Sequence, residues 1–315
     1  MKPTSLKGRS LLTLADYSKE EIIYLLDLSD ELKARKRRGE RGGLLAGKNV
    51  ALIFEKPSTR TRCAFTVACA DEGAHPEYLG VNDIQLGHKE SVYDTAKVLG
   101  RMFDGIEFRG FRQSVVRELA EYSGVPVFNG LTDEDHPTQA LADLMTIRER
   151  FGTLAVKLAF VGDGRNNVAN ALMIAASKVG MDCAVVSPRE LWPDVERMER
   201  CRAFAAESGA SLTVTDDPAE GLSGAGAVYT DVWASMGEES KAAERAALLA
   251  PYRVDVKMLS LAAPEAILLH CLPAVKGGEV TAAAFALHEE VIFDQAENRM
   301  HTIKAVMAAA MSDAL

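Results

Sequence analysis

The stretch Ser58-Thr59-Arg60-Thr61-Arg62 places hydroxyls and two guanidinium groups within one short segment. Such groups make charge-assisted hydrogen bonds to a phosphate-like anion. Further on, His136-Pro137-Thr138-Gln139 sets an imidazole and an amide at the mouth of a helical pattern, where both can face a crevice. Asn166 and Asn167 offer an amide to a small polar ligand; either one fits. Asp231 and Ser235 lie four residues apart on a stretch ending at Gly237. A carboxylate and a hydroxyl so spaced suit an ammonium and a carboxylate, and they equally suit an ordinary strand-to-helix loop with Trp233 in the core. Cys271, in His270-Cys271-Leu272-Pro273, is either a small buried hydrophobe or a polarizable group beside a reacting atom. It has no histidine partner with a third orienting group, so a covalent cysteine mechanism is not expected.

These side chains need elements to hold them. Residues 50–54 are a continuous apolar run, as a buried parallel strand would be. Phe65, Ala68 and Cys69 then recur at helical spacing, so a helix is predicted to open at residues 58–61, straight off that strand. A helix start has unpaired backbone N–H groups and partial positive charge, which adds to the anion site. Ser18 to Glu21 reads as a capping box ahead of a first amphipathic helix with a basic, solvated end. Short strands are predicted at 74–80, 105–110 and 125–129, with Arg109 at the end of the second. Helices are predicted at 93–102, 114–123 and 140–150. Residues 83–91, with Gln85 and Gly87, read as a donor-rich binding loop. Strand–helix alternation restarts at 156–161, continues through a helix at 168–179, and gives further strands at 183–186, 227–230 and 266–270. Glu297-Asn298-Arg299 is expected to open a terminal helix, with Arg299 reaching whatever lies at its start.

The pattern is α/β: two domains, each a parallel sheet flanked by helices. The length of 315 residues agrees with two domains. A net charge of −9 argues against nucleic acid as a partner. Five cysteines at irregular spacing suggest neither a disulfide framework nor a zinc pattern, and so a reducing, cytoplasmic setting. No run approaches the roughly 20 apolar residues of a membrane span. Gly162-x-Gly164 is a weak dinucleotide signal, because Asn167 replaces the third glycine and the next strand ends in Ser187-Pro188 instead of an acidic residue.

Ser-Thr-Arg-Thr-Arg, His-Pro-Thr-Gln, Asp-x-Trp-x-Ser-Met-Gly, His-Cys-Leu-Pro and the late Glu-Asn-Arg, in this order along the whole chain, resemble the aspartate/ornithine carbamoyltransferase family. Cys271 and the Ser-Met-Gly stretch resemble its ornithine branch; the aspartate branch carries proline in place of the cysteine. The resemblance implies a carbamoyl-phosphate-binding domain over residues 1–150, completed by 296–315, and an ornithine-binding domain over 151–295, joined by two interdomain helices. Carried over, Ser58, Thr59, Arg60, Thr61, Arg109, His136, Gln139 and Arg299 would hold carbamoyl phosphate, with Gln85 supplied by a neighbouring chain. Asn166, by ungapped spacing, would hold L-ornithine together with Asp231, Ser235 and Met236. Cys271 and Leu272 would line the reacting end, and Arg109, His136 and Cys271 would be catalytic. The resemblance further implies citrulline and phosphate as products, in arginine metabolism, whether synthesis or breakdown. It implies a homotrimer or a multiple of trimers with shared sites, and no metal or organic cofactor.

Overall fold

The computed structural model describes residues 5–84, 86, 89–234 and 242–315. The chain divides into two compact units, Met1–Ala142 with Glu297–Leu315, and Asp143–Ala296. It passes between them inside helices, first within α5 (Pro137–Phe151) and again within α11 (Ala282–Met311).

In the first unit, α1 (Lys19–Arg37) opens with the predicted capping box: the Ser18 side chain accepts from the Glu21 N–H, and Glu21 accepts from the Ser18 N–H. A parallel sheet follows, built from β1 (Asn49–Phe54), β2 (His75–Gly80), β3 (Gly105–Arg109) and β4 (Val127–Leu131) in the order β2-β1-β3-β4. The connecting helices are α2 (Thr59–Glu72), α3 (Val92–Leu99) and α4 (Gln113–Ser123). Ile106 and Phe108 point from β3 into a core with Ala51, Ile53, Val115, Val116 and Leu119. Burying a side chain of this size stabilises by about 1.5–3 kcal/mol. Because strand side chains alternate, Glu107 and Arg109 face the opposite side of the sheet.

The second unit holds β5 (Lys157–Val161), β6 (Cys183–Val186), β7 (Leu212–Thr215), β8 (Ala225–Tyr229) and β9 (Ile267–Leu269), all parallel, in the order β7-β6-β5-β8-β9. Helix α6 (Asn167–Val179) follows β5. Ala159, Val161, Val186, Val228 and Leu268 meet Phe285 and Ile292 of α11 in one core. Helices α7 (Val195–Ser208), α8 (Pro218–Leu222), α9 (Ala242–Leu249) and α10 (Val256–Leu259), together with β7, have no counterpart among the sequence expectations. They are short or polar on much of their surface, so local periodicity is weak.

One expectation is corrected. Glu297-Asn298-Arg299 does not open a helix; it lies deep inside α11, which begins at Ala282. Residues 282–311 contain neither glycine nor proline and are rich in alanine, so nothing stops the helix before Arg299.

Candidate active site

In an open parallel sheet, ligands bind beyond the carboxyl ends of the strands where the strand order reverses. The first unit reverses between β1 and β3. Ser58 follows β1, and Arg109 is the last residue of β3. Ser58 caps α2, its hydroxyl accepting from the Thr61 N–H at 3.2 Å. Thr61, fully buried, accepts through its hydroxyl from Arg299 (2.8 Å) and from Arg109 (3.4 Å). Three segments distant in sequence thus converge on one threonine oxygen: the start of α2, the end of β3 and the middle of α11.

His136, 3% exposed, stands just before α5, and its Nδ1 lies 3.4 Å from the Thr138 hydroxyl. The turn that presents it is held by Thr132, whose N–H donates to the Asp135 carbonyl (2.9 Å) and whose hydroxyl donates to Gln113 (2.6 Å). Burial, and then the charges of Arg299, Arg109 and Arg60, hold the His136 imidazole well below its usual range. It is neutral at physiological pH and keeps one N–H to donate. Gln139 is buried one turn further along α5. Arg62 departs from the sequence reading: its guanidinium stacks on Tyr78, 3.8 Å from the ring centroid. Arg109 and Arg299, remote in sequence, sit at Thr61 in its stead.

The second unit reverses between β5 and β8. Asn166 caps α6, its Oδ1 accepting from the Val168 N–H (2.6 Å), while its amide donates to Asp231 Oδ2 (2.9 Å). The Asn166 side chain therefore joins Asp231. The Cys271 thiol donates to Asp231 Oδ1 at 3.0 Å. Gln295 supports this group from α11: it accepts from the His270 N–H (2.9 Å) and donates to Asp143 (2.6 Å) and to the Tyr229 hydroxyl (3.2 Å). Leu272 has φ of 60°, a left-handed conformation that a branched side chain seldom adopts and that recurs at functional sites. Gln85, Ser235 and Met236 lie outside the described residues.

Asp231, His270 and Cys271 place one potential metal-ligand atom each within 4.8 Å of one another. The imidazole is committed, however. Its Nδ1 accepts from the Leu272 N–H (2.8 Å), so the proton sits on Nε2, which donates to Glu279 (3.1 Å). Ligation would cost that backbone bond, and the cluster is better described as a hydrogen-bonded support for Cys271.

Sequence reasoning passed over Glu107. It is fully buried on the Arg109 side of β3, and neither carboxyl oxygen has a hydrogen-bond partner among the described residues. Burial raises its carboxyl well above the usual range, against the pull of Arg109 and Arg299. An acidic residue inside an apolar strand run, two positions before an arginine, was the available signal.

Two family models match the chain: the carbamoyl-P binding domain of aspartate/ornithine carbamoyltransferase over residues 9–149, and its Asp/Orn binding domain over 155–310. The chain belongs to the aspartate/ornithine carbamoyltransferase family. Among curated members of that family it is 57% identical to a catabolic ornithine carbamoyltransferase of Bacillus licheniformis, covering 98% of each chain. It is also 57% identical to an ornithine carbamoyltransferase of Caldanaerobacter subterraneus, over 98% of this chain and 99% of the relative. Among solved structures, ornithine carbamoyltransferase from Pyrococcus furiosus superposes with a TM-score of 0.93 at 46% identity, over 98% of this chain and 99% of the other. The anabolic enzyme of Campylobacter jejuni superposes with a TM-score of 0.90 at 40% identity, over 95% and 97%. Similar members of this carbamoyltransferase family thus carry both metabolic directions in their names.

Proposed function

We propose that the protein transfers the carbamoyl group of carbamoyl phosphate to the δ-amine of L-ornithine, giving L-citrulline and phosphate. Carbamoyl phosphate is held by the first unit. The helix start at Ser58, with Thr59 and Arg60, takes the phosphate; Arg299 and Gln139 complete its shell. Thr61, Arg109 and neutral His136 donate to the carbonyl oxygen. Ornithine is held by Asn166, Asp231, Ser235 and Met236, and Cys271 and Leu272 line the reacting end.

The amine attacks the carbamoyl carbon, and a tetrahedral intermediate forms. Charge grows on the carbonyl oxygen, where preorganised donors act most strongly. A cationic His136 would have to be desolvated beside three arginines; the neutral form donates without that cost. Phosphate leaves with its charge offset by Arg60 and the helix start, and it can accept the proton that the amine must lose.

The observation that carries the choice of acceptor is the Asn166–Asp231–Cys271 cluster. A buried carboxylate at the acceptor side favours a cationic diamino acid and repels a second carboxylate such as that of aspartate. The test is carbamoyl-phosphate-dependent citrulline formation, with aspartate and putrescine as alternative acceptors. Turnover of ornithine alone supports the reading; preferred turnover of aspartate or putrescine removes it.

The working form proposed is a cytoplasmic homotrimer, or a multiple of it, in which Gln85 of one chain completes the phosphate site of the next. Two parts of this proposal rest on family resemblance: the subunit count and the shared site. No described helix is long and apolar enough to cross a membrane.

A further inference from the structure

Glu107 has no part in the reaction just described, yet it lies in the floor of the same site. Its strand alternates Ile106 and Phe108 into the core against Glu107 and Arg109 on the other face. A Cβ placed on Gly130 of β4 would come within 2.0 Å of Glu107 Oε1 and 3.2 Å of the Thr61 methyl. The carboxyl and the threonine that Arg109 and Arg299 share therefore both lie against Gly130. The charged groups facing it are Arg109 from its own strand and Arg299 from α11. The charges of Arg109 and Arg299 also act on His136, together with that of Arg60. A polar group this deeply buried and without a hydrogen-bond partner is rare in a native fold, and such groups concentrate where function needs them.

We propose that Glu107 is a positioning residue and charge compensator of the phosphate site: toward the alkaline end of the pH range its carboxyl ionises beside Arg109 and Arg299 in the ligand-free enzyme, and it takes up a proton when a phosphate dianion binds. The physical reason is charge balance. Clustered guanidinium groups repel one another in a desolvated site, and one carboxylate among them offsets this and holds them in place. When a dianion arrives, the same carboxylate becomes a like charge at close range, and protonation removes the repulsion. The proton comes from solvent and ends on the Glu107 carboxyl; no bond to the ligand forms. Phosphate affinity is thereby linked to pH through a residue that never touches the ligand. This inference rests on the first unit's site binding phosphate, as proposed above, but not on the identity of the acceptor.

The experiment is calorimetric titration of the full-length enzyme with inorganic phosphate from pH 6 to 9, in pairs of buffers of different ionisation enthalpy, for wild type and Glu107→Gln. After correction for phosphate's own ionisation, wild-type affinity is expected to fall by up to about tenfold per pH unit wherever Glu107 is ionised. Glu107→Gln is expected to lose that slope and the matching proton uptake. Glu107→Asp, which restores a carboxyl, is expected to restore part of the slope, which a purely packing role for the side chain would not do. Equal slopes and equal uptake in wild type and Glu107→Gln overturn the proposal and leave carbamoyl transfer intact. Glu107-dependent uptake in a protein that forms no citrulline sustains the proposal and removes the transfer reaction. Phosphate that fails to bind the wild type overturns both. Where Glu107→Gln does not fold, infrared difference spectra of the wild type decide: a protonated-carboxyl band gained on adding phosphate sustains the proposal, and its absence overturns it.

Discussion

Arg60, Cys271 and the buried histidines each carry a separate expectation. Arg60→Ala should weaken carbamoyl phosphate by roughly tenfold to a hundredfold, since a charge-assisted hydrogen bond contributes about 1.5–3 kcal/mol. Initial rates against carbamoyl phosphate check this, and an unchanged Michaelis constant would refute the role given to Arg60. Cys271→Ser should leave the fold intact, raise the ornithine Michaelis constant and lower turnover without abolishing it. Its thiol donates to Asp231, and a hydroxyl can do the same at a shorter length. Trapping of a carbamoyl-cysteine at this position would contradict that account. His136 is held well below its usual range, and His301 is lowered to about 4, by burial first in both cases. Below about pH 6.5 the unfolded chain binds protons at these positions that the folded chain refuses, so stability falls as pH drops from there toward the folded values. Melting temperature should therefore decline from pH 7 to 5, and His301→Gln should flatten the decline. A slope untouched by that substitution would show that other groups govern acid stability.

Two helices are capped by residues that the proposed site also uses. Ser58 caps α2 and Asn166 caps α6, so each substitution has a structural consequence and, under the proposed function, a functional one. Ser58→Ala should cost about 0.5–2 kcal/mol of stability through the lost cap and, in addition, reduce protection by phosphate against thermal unfolding. Equal phosphate protection in both proteins would confine Ser58 to capping. Helix α11 belongs to both units. Within the first unit, Lys33 of α1 donates to Asn298 at 2.7 Å and Lys304 to Asp71 at 2.5 Å, and these bonds set the rotation at which Arg299 meets Thr61. In the second unit, Gln295 serves Tyr229, Asp143 and His270 at once.

For the whole molecule, the proposed shared site predicts complementation. Arg60→Ala and Gln85→Glu should each give a nearly inactive protein, the second by placing a carboxylate against the phosphate. After reversible dissociation and random mixing in equal amounts, an intact site needs a home chain from one variant and a neighbour from the other. In a head-to-tail ring that condition is met at about a quarter of sites. Activity recovered toward that fraction supports a site shared between chains. Hybrids verified by mass spectrometry that remain inactive would place the role of Gln85 within its own chain, or elsewhere.

The amino-acid sequence by itself determined the α/β class, the strand carrying Val50 to Phe54, the helix cap at Ser58 and the turn before Pro137. These are local properties: apolar runs, helical spacing and capping chemistry act over a few residues and leave a direct trace in the chain. The ordered set of short motifs pointed to the carbamoyltransferase family for the same reason. Tertiary structure alone decided which cations meet at Thr61, that Arg62 leaves to stack on Tyr78, that Asn166 joins Asp231, and that Arg299 sits within a long helix instead of at the start of a short one. Each of these depends on groups tens to hundreds of positions apart, where spacing in sequence has no fixed relation to distance. Glu107 shows the difference most plainly: in sequence it is one acidic residue in a strand, and only its burial under the influence of Arg109 and Arg299 singles it out for the role proposed above.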